Sequence, residues 1–138
     1  MIDYRKFEQS LHHLQRQYDN RVSLDTDLPE LMREAVDESV IKRFEVCYDC
    51  LWKVLKRYLH VELGLPEVPS SPKPIFRMAN ENGLLPSAIE QWLNYANARI
   101  GTTHDYSNNK AALVLELAKP FITDAIQLYQ TMTTKEWS

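Results

Sequence analysis

The sequence predicts an all-α protein built as an antiparallel up-and-down bundle of four main helices and one short helix. Apolar residues recur at helical spacing along nearly the whole chain. Only three glycines interrupt this pattern, and four of the seven prolines fall within residues 64–74. Because helix breakers are scarce and concentrated, long helices joined by few turns are favoured. We expect the 138 residues to form one helical domain, residues 1–138.

The first helix is predicted over about residues 3–20. Apolar side chains alternate at spacings of three and four from Tyr4 to Tyr18, which is typical of an amphipathic helix. A loop over residues 22–27 follows. Pro29 then suits the first turn of the next helix, where its missing N–H costs nothing.

The second helix is predicted to be the central one. Its apolar positions run from Leu31 to Leu59 and cover a surface too wide for a helix that packs on one side only. Residues 37–39 are a candidate kink or second start within it. Its narrow polar face is predicted to be solvated, with Asp49 and Lys53 spaced for an i,i+4 ion pair; this face carries Lys42, Glu45, Asp49, Lys53 and Lys56.

Three further helices are predicted after the proline-rich connector at 64–74. Ser71 and Pro72 have the pattern of a cap followed by a helix-opening proline, and the short helix that they begin should end at Asn82-Gly83. The next helix begins after Pro86 and runs up to Arg99. The last begins after position 106 and carries Pro120, which should bend it.

Composition limits the classes of function. The net charge of −3 argues against a broad electrostatic grip on nucleic acid, so any such contact needs a local basic cleft. No stretch resembles a signal peptide or a membrane span, so we expect a cytoplasmic protein without membrane contact. Cys47 and Cys50 lie within a strongly periodic helix, and they are interpreted as small buried residues rather than as a metal or redox site.

Arg99, His104 and Tyr106 form the candidate site. Arginine offers a planar fork of donors for phosphate oxygens, and histidine exchanges protons near neutral pH. Gly101 and the two threonines after it are expected to end the helix just beyond Arg99, so that His104 folds back over the same point. The alternative is a helix-end pair in which Arg99 satisfies carbonyls and His104 caps the loop.

Several segments, taken together and in order, resemble the nucleotidyltransferase substrate-binding proteins, a family within the HEPN superfamily of helical bundles. The central-helix residues that carry this likeness are Arg43-Phe44-Glu45, Tyr48-Asp49, Trp52-Lys53, Leu55-Lys56 and Tyr58-Leu59. Further along, Ser71-Pro72-Lys73 and Asn82-Gly83-Leu84 match the same family. Arg99, His104 and Tyr106 fit the R-x4-H-x-Y pattern of its HepT branch without a gap.

The resemblance implies a toxin of a toxin–antitoxin pair. Such bundles form homodimers that cut RNA, not DNA, without a metal or other cofactor, and a minimal nucleotidyltransferase partner silences them by attaching AMP to the tyrosine. By this likeness His104 is the general acid or base, Arg99 steadies charge on the phosphate, and Tyr106 is the modified phenol. Thr103, Lys53 and Lys56 are candidates for the cleft rim.

Of two departures from the family, the one at Ile100 favours an alternative and the one at Asp49 is milder. Ile100 stands where the family usually has a polar residue, and Asp49 stands where glutamate is more common. An isoleucine can neither hydrogen-bond substrate nor orient the histidine. The alternative is a non-catalytic subunit that binds substrate or nucleotide for a minimal nucleotidyltransferase, and a purely structural helical dimer is a third hypothesis.

Overall fold

The computed structural model shows five helices among the residues that it describes. It describes the backbone of residues 1–104 and 108–138, and the side chains of those ranges except at positions 103, 104, 108 and 109. The helices are α1 (Arg5–Val22), α2 (Glu30–Val61), α3 (Pro72–Glu81), α4 (Ile89–His104) and α5 (Asn108–Thr133). Since these ranges contain no strand, the predicted all-α bundle of four main helices and one short helix is confirmed.

Helix α2 is the central helix, as predicted. It contacts each of the other four helices. It is continuous through residues 37–39, so no second helix begins there. Its core contacts begin only at Val40, because Leu31 and Met32 are 77% and 56% exposed. The expectation that these two residues contribute to the apolar surface of the core was therefore wrong.

Six aromatic side chains tie four helices together. Their rings follow one another in a closed circuit with centroid separations between 4.9 and 6.0 Å. We call this set the aromatic circuit; it consists of Phe44 and Tyr48 from α2, Phe76 from α3, Trp92 and Tyr95 from α4, and Phe121 from α5. All six are at most 2% exposed. Mostly tilted or edge-on aromatic contacts therefore fix how α2 to α5 pack.

A buried carboxylate anchors the start of α4 to α5. Asp124 accepts hydrogen bonds from the hydroxyls of Tyr95 at 2.6 Å and Ser87 at 2.8 Å. Gln91 donates to the same tyrosine oxygen at 3.0 Å. These bonds satisfy polar groups that would otherwise be costly to bury.

The residue types at its two ends explain where α3 begins and ends. Pro72 occupies the first helical position after Ser71, as expected, although the side chain of Ser71 makes no capping hydrogen bond. Gly83 follows α3 with a φ of 71°, a left-handed conformation that favours glycine. Lys56 and His60 of α2 bind Ser70 and the carbonyl of Leu65, which holds the connector against the central helix.

The bundle should lose stability in alkaline solution. Burial, then the negative charge of Asp49, raises the pKa of Tyr48 above the ordinary value, so the folded state favours the neutral phenol. The stability that this provides is fully present below about pH 10 and is lost as the pH rises towards the raised pKa. We expect the urea midpoint of Tyr48→Phe to fall less steeply above pH 10 than that of the wild type. An equal change in Tyr18→Phe would contradict this assignment.

Among the described residues, no helix combines the length and the hydrophobicity that a bilayer span requires.

Candidate functional site

Arg99 of α4 reaches across to two carboxylates of α2. Its Nε lies 3.4 Å from Oδ1 of Asp49, and one terminal nitrogen lies 3.2 Å from Oδ2 of the same residue. Its other terminal nitrogen lies 3.9 Å from Oε2 of Glu45. Glu45 and Asp49 are four residues apart, so successive turns of α2 present both acids to one guanidinium.

The three charged side chains are only partly exposed to solvent. The side chains of Glu45, Arg99 and Asp49 are 9%, 24% and 39% exposed. Burial lowers the pKa of Arg99, but the hydrogen bond and charge of Asp49 and the charge of Glu45 outweigh it, so the net shift is upward. The ammonium of Lys42 also lies 3.9 Å from Oε2 of Glu45. The formal charges of these two cations and two carboxylates therefore balance.

These contacts correct the prediction for the polar face of α2. Glu45 is buried rather than solvated, and Asp49 pairs with Arg99 rather than with Lys53. The ammonium of Lys53 instead lies 5.8 Å from the ring centroid of Trp52. The sequence analysis did not identify either acid as a site residue. The feature that could have identified them is the i,i+4 spacing of two acids on a helix that has buried residues on several sides.

Helix α4 does not end after Arg99, and that prediction was wrong. It continues through Gly101 to His104. The hydroxyl of Thr102 donates to the carbonyl of Arg99 at 2.8 Å, a local bond that lets threonine remain in a helix. On an unbroken helix, positions 99 and 104 lie about 140° apart around the axis. The backbone thus does not fold position 104 back over position 99 as expected.

The other predicted site residues are placed only in part. The side chains of Thr103 and His104, and all of Tyr106, lie outside the described residues, so their roles stay predictions. Lys56 binds the connector at Ser70, and the proposed rim roles of Lys53 and Lys56 are not tested by any contact. Ile100, beside Arg99, is 52% exposed.

Gly101→Ala should stabilise the protein. Gly101 has a helical backbone, and a Cβ there would meet Lys110 Cδ at 3.5 Å, an ordinary van der Waals distance. Because alanine has the higher helix propensity, we expect a gain of about 0.5–1 kcal/mol in the free energy of unfolding. Gly83→Ala is the matched control and should destabilise, because its φ is 71°. A loss of stability in Gly101→Ala, measured by urea unfolding, would restore the idea that this glycine ends a helix.

The cysteines fit the prediction of small packing residues. Cys47 is buried and Cys50 is half-buried, and both are free thiols. Burial raises the pKa of Cys47, which disfavours a reactive thiolate. In the part of the chain that the structure describes, no three His, Cys, Asp or Glu side chains are grouped so as to hold a metal ion.

Comparisons with known proteins agree on one family and one fold. Residues 2–134 match the family model described as nucleotidyltransferase substrate binding protein like. A Haemophilus influenzae structure, described as the fold of a substrate binding domain of a nucleotidyltransferase, aligns with a TM-score of 0.84 at 20% identity, over 94% of this chain and 98% of that one. A crystal structure of a Thermus thermophilus protein aligns with a TM-score of 0.76 at 24% identity, over 92% and 98% of the two chains. At these identities the two structures support the fold alone. No curated protein matches the sequence.

Proposed function

Because the chain belongs to the nucleotidyltransferase substrate binding protein like family, we propose that it is a non-catalytic subunit that binds substrate for a nucleotidyltransferase partner. The observation that carries this proposal is the family match over residues 2–134. The catalytic step then belongs to the partner, and this chain supplies recognition.

The contacts of Arg99 suit recognition of a nucleotide. Its guanidinium can meet a phosphate group, while the carboxylates of Asp49 and Glu45 can accept hydrogen bonds from ribose hydroxyls or base amines. A site that offers both hydrogen-bond donors and acceptors can distinguish a nucleotide from other small molecules. Asp49, the more exposed of the two acids, is the carboxylate that a ligand reaches first.

The ribonuclease hypothesis ranks second for one physical reason. The helix break that was expected to bring position 104 over Arg99 does not form, because α4 continues through Gly101 to His104. Ribonuclease activity, a homodimeric cleft and AMP on Tyr106 therefore stay predictions.

Co-expression with the nucleotidyltransferase encoded by a neighbouring gene tests the proposal. We expect a stable complex in size-exclusion chromatography and calorimetric binding of a nucleotide that is weakened at least tenfold in Asp49→Ala, the loss of one charged hydrogen bond. RNA incubated with this chain in EDTA should stay intact. Cleavage that leaves cyclic phosphate ends and disappears in His104→Ala would overturn the proposal in favour of the ribonuclease, and failure to bind either partner or nucleotide would also overturn it.

A further inference from the structure

A second polar site lies between α1 and α2, away from Arg99. The groove there encloses about 220 Å³, and its lining residues are Lys6, Gln9, Ser10, His13, Arg43, Val46 and Cys50. The three α2 positions recur at spacings of three and four, so they share one face of that helix. This face is roughly 110° around α2 from the face that carries Glu45 and Asp49.

The groove is cationic on a chain that is acidic as a whole. No carboxylate lines it. Within residues 1–104 and 108–138, no ion pair joins Lys6 or Arg43 to an acid, although the chain carries 19 acids and 16 lysines and arginines. The adjoining groove holds Arg5 and Arg16 and one carboxylate, Glu8. Asp3 interacts electrostatically with Lys6 but pairs with Arg5. Cations therefore outnumber carboxylates around the groove, and an anion is the complementary ligand.

One of the cations is already oriented. A terminal nitrogen of Arg43 lies 3.2 Å from Nδ1 of His13. Because a guanidinium can only donate, this contact is a hydrogen bond when Nδ1 of His13 carries no proton. His13 is half-buried, whereas Arg43 is exposed. The histidine thus fixes the fork of Arg43 before a ligand arrives, which lowers the entropy cost of binding.

We propose that this α1–α2 groove binds the phosphate group of a small phosphate monoester through Lys6 and Arg43, with His13 holding Arg43. The dianionic group matches the two positive charges, whereas a single carboxylate would leave one uncompensated. Arginine's planar fork also fits phosphate oxygens bidentately. The volume is below the roughly 300–1,000 Å³ of pockets that enclose whole drug-sized ligands. The phosphate therefore enters, and the rest of the ligand stays outside.

Calorimetric titration of the purified chain tests this site with three probes. Ribose 5-phosphate and AMP should bind with similar affinity, since the groove holds the phosphate, and adenosine should not bind in it. Arg43→Gln and Lys6→Gln should each weaken ribose 5-phosphate binding about tenfold, the loss of one charged hydrogen bond. His13→Ala should weaken it less, because it removes the orientation but not the charge.

Arg57→Gln is the matched control. It removes the same charge from the same helix, roughly 21 Å further along and on nearly the same side, and should leave affinity unchanged. Equal weakening in Arg57→Gln would mean that only the total charge matters and would overturn the site. Ribose 5-phosphate that fails to bind at millimolar concentration, or that binds no better than acetate, would also overturn it. Each titration is repeated in Asp49→Ala, which weakens the Arg99 site. Ribose 5-phosphate binding that persists in Asp49→Ala and is lost with Arg43→Gln belongs to the groove, so the two proposals can fail independently.

Discussion

Phe121→Ala should lower the free energy of unfolding by about 3–5 kcal/mol. Phe121 is fully buried, and its ring lies 4.9 Å from that of Phe44 and 5.1 Å from that of Tyr95. Its removal opens a cavity where α2, α4 and α5 meet and breaks the aromatic circuit at two contacts. Since a domain of this kind is typically stable by about 5–15 kcal/mol, this one change removes a large share of the total.

Urea unfolding followed by circular dichroism measures the effect. Phe121→Leu is the first control and should cost clearly less, because leucine refills part of the volume. Ile100→Ala is the second and should stay within about 0.5 kcal/mol of the wild type, because Ile100 is 52% exposed. If Phe121→Ala proved as mild as Ile100→Ala, the aromatic circuit would not be the centre of the core.

Arg99→Leu should be the second most damaging change, at about 2–3 kcal/mol. It leaves the carboxylates of Glu45 and Asp49 without the guanidinium that lies against both. Breaking a fully buried ion pair costs roughly 3–5 kcal/mol, and the 39% exposure of Asp49 reduces that figure. If the proposed function is correct, the same variant should abolish the nucleotide binding that Asp49→Ala weakens, while binding that depends on Arg43 should remain.

A double-mutant cycle separates the ion pair from other effects of the leucine. Glu45→Gln combined with Arg99→Leu should cost less than the sum of the single changes, with a coupling of about 1 kcal/mol. Arg99→Lys keeps the charge but not the planar fork, so it should fall between the wild type and Arg99→Leu. Strict additivity would show that Arg99 and Glu45 do not interact energetically.

The helices could be predicted from sequence because their signals are local. Apolar spacing predicted α1 and the central position of α2, and Pro72 and Gly83 marked the ends of α3. Each of these features depends on neighbours within a few residues. The exposed start of α2 could not be predicted, because Leu31 and Met32 look like core residues in the sequence, and only the packing of the described residues shows that they are 77% and 56% exposed.

The errors at the site come from competition between local and tertiary effects. A glycine and two threonines predict the end of a helix, yet the Thr102 hydroxyl donates to the carbonyl of Arg99 and α4 continues to His104. Arg99 itself was predicted as a site residue. Asp49 pairs with Arg99 rather than with Lys53 because of the way α4 packs against α2. Sequence spacing alone does not reveal that packing.

The exposed beginning of α2 should unwind more readily than the rest of that helix. Arg21 of α1 pairs with Asp37 at 2.6 Å, whereas Leu31 and Met32 before it are exposed. Little burial opposes unwinding of the first two turns, so their amide hydrogens should exchange with solvent through local fraying rather than through global unfolding. Protection should rise sharply from Val40 onward, which divides one continuous helix into two units of very different lifetime.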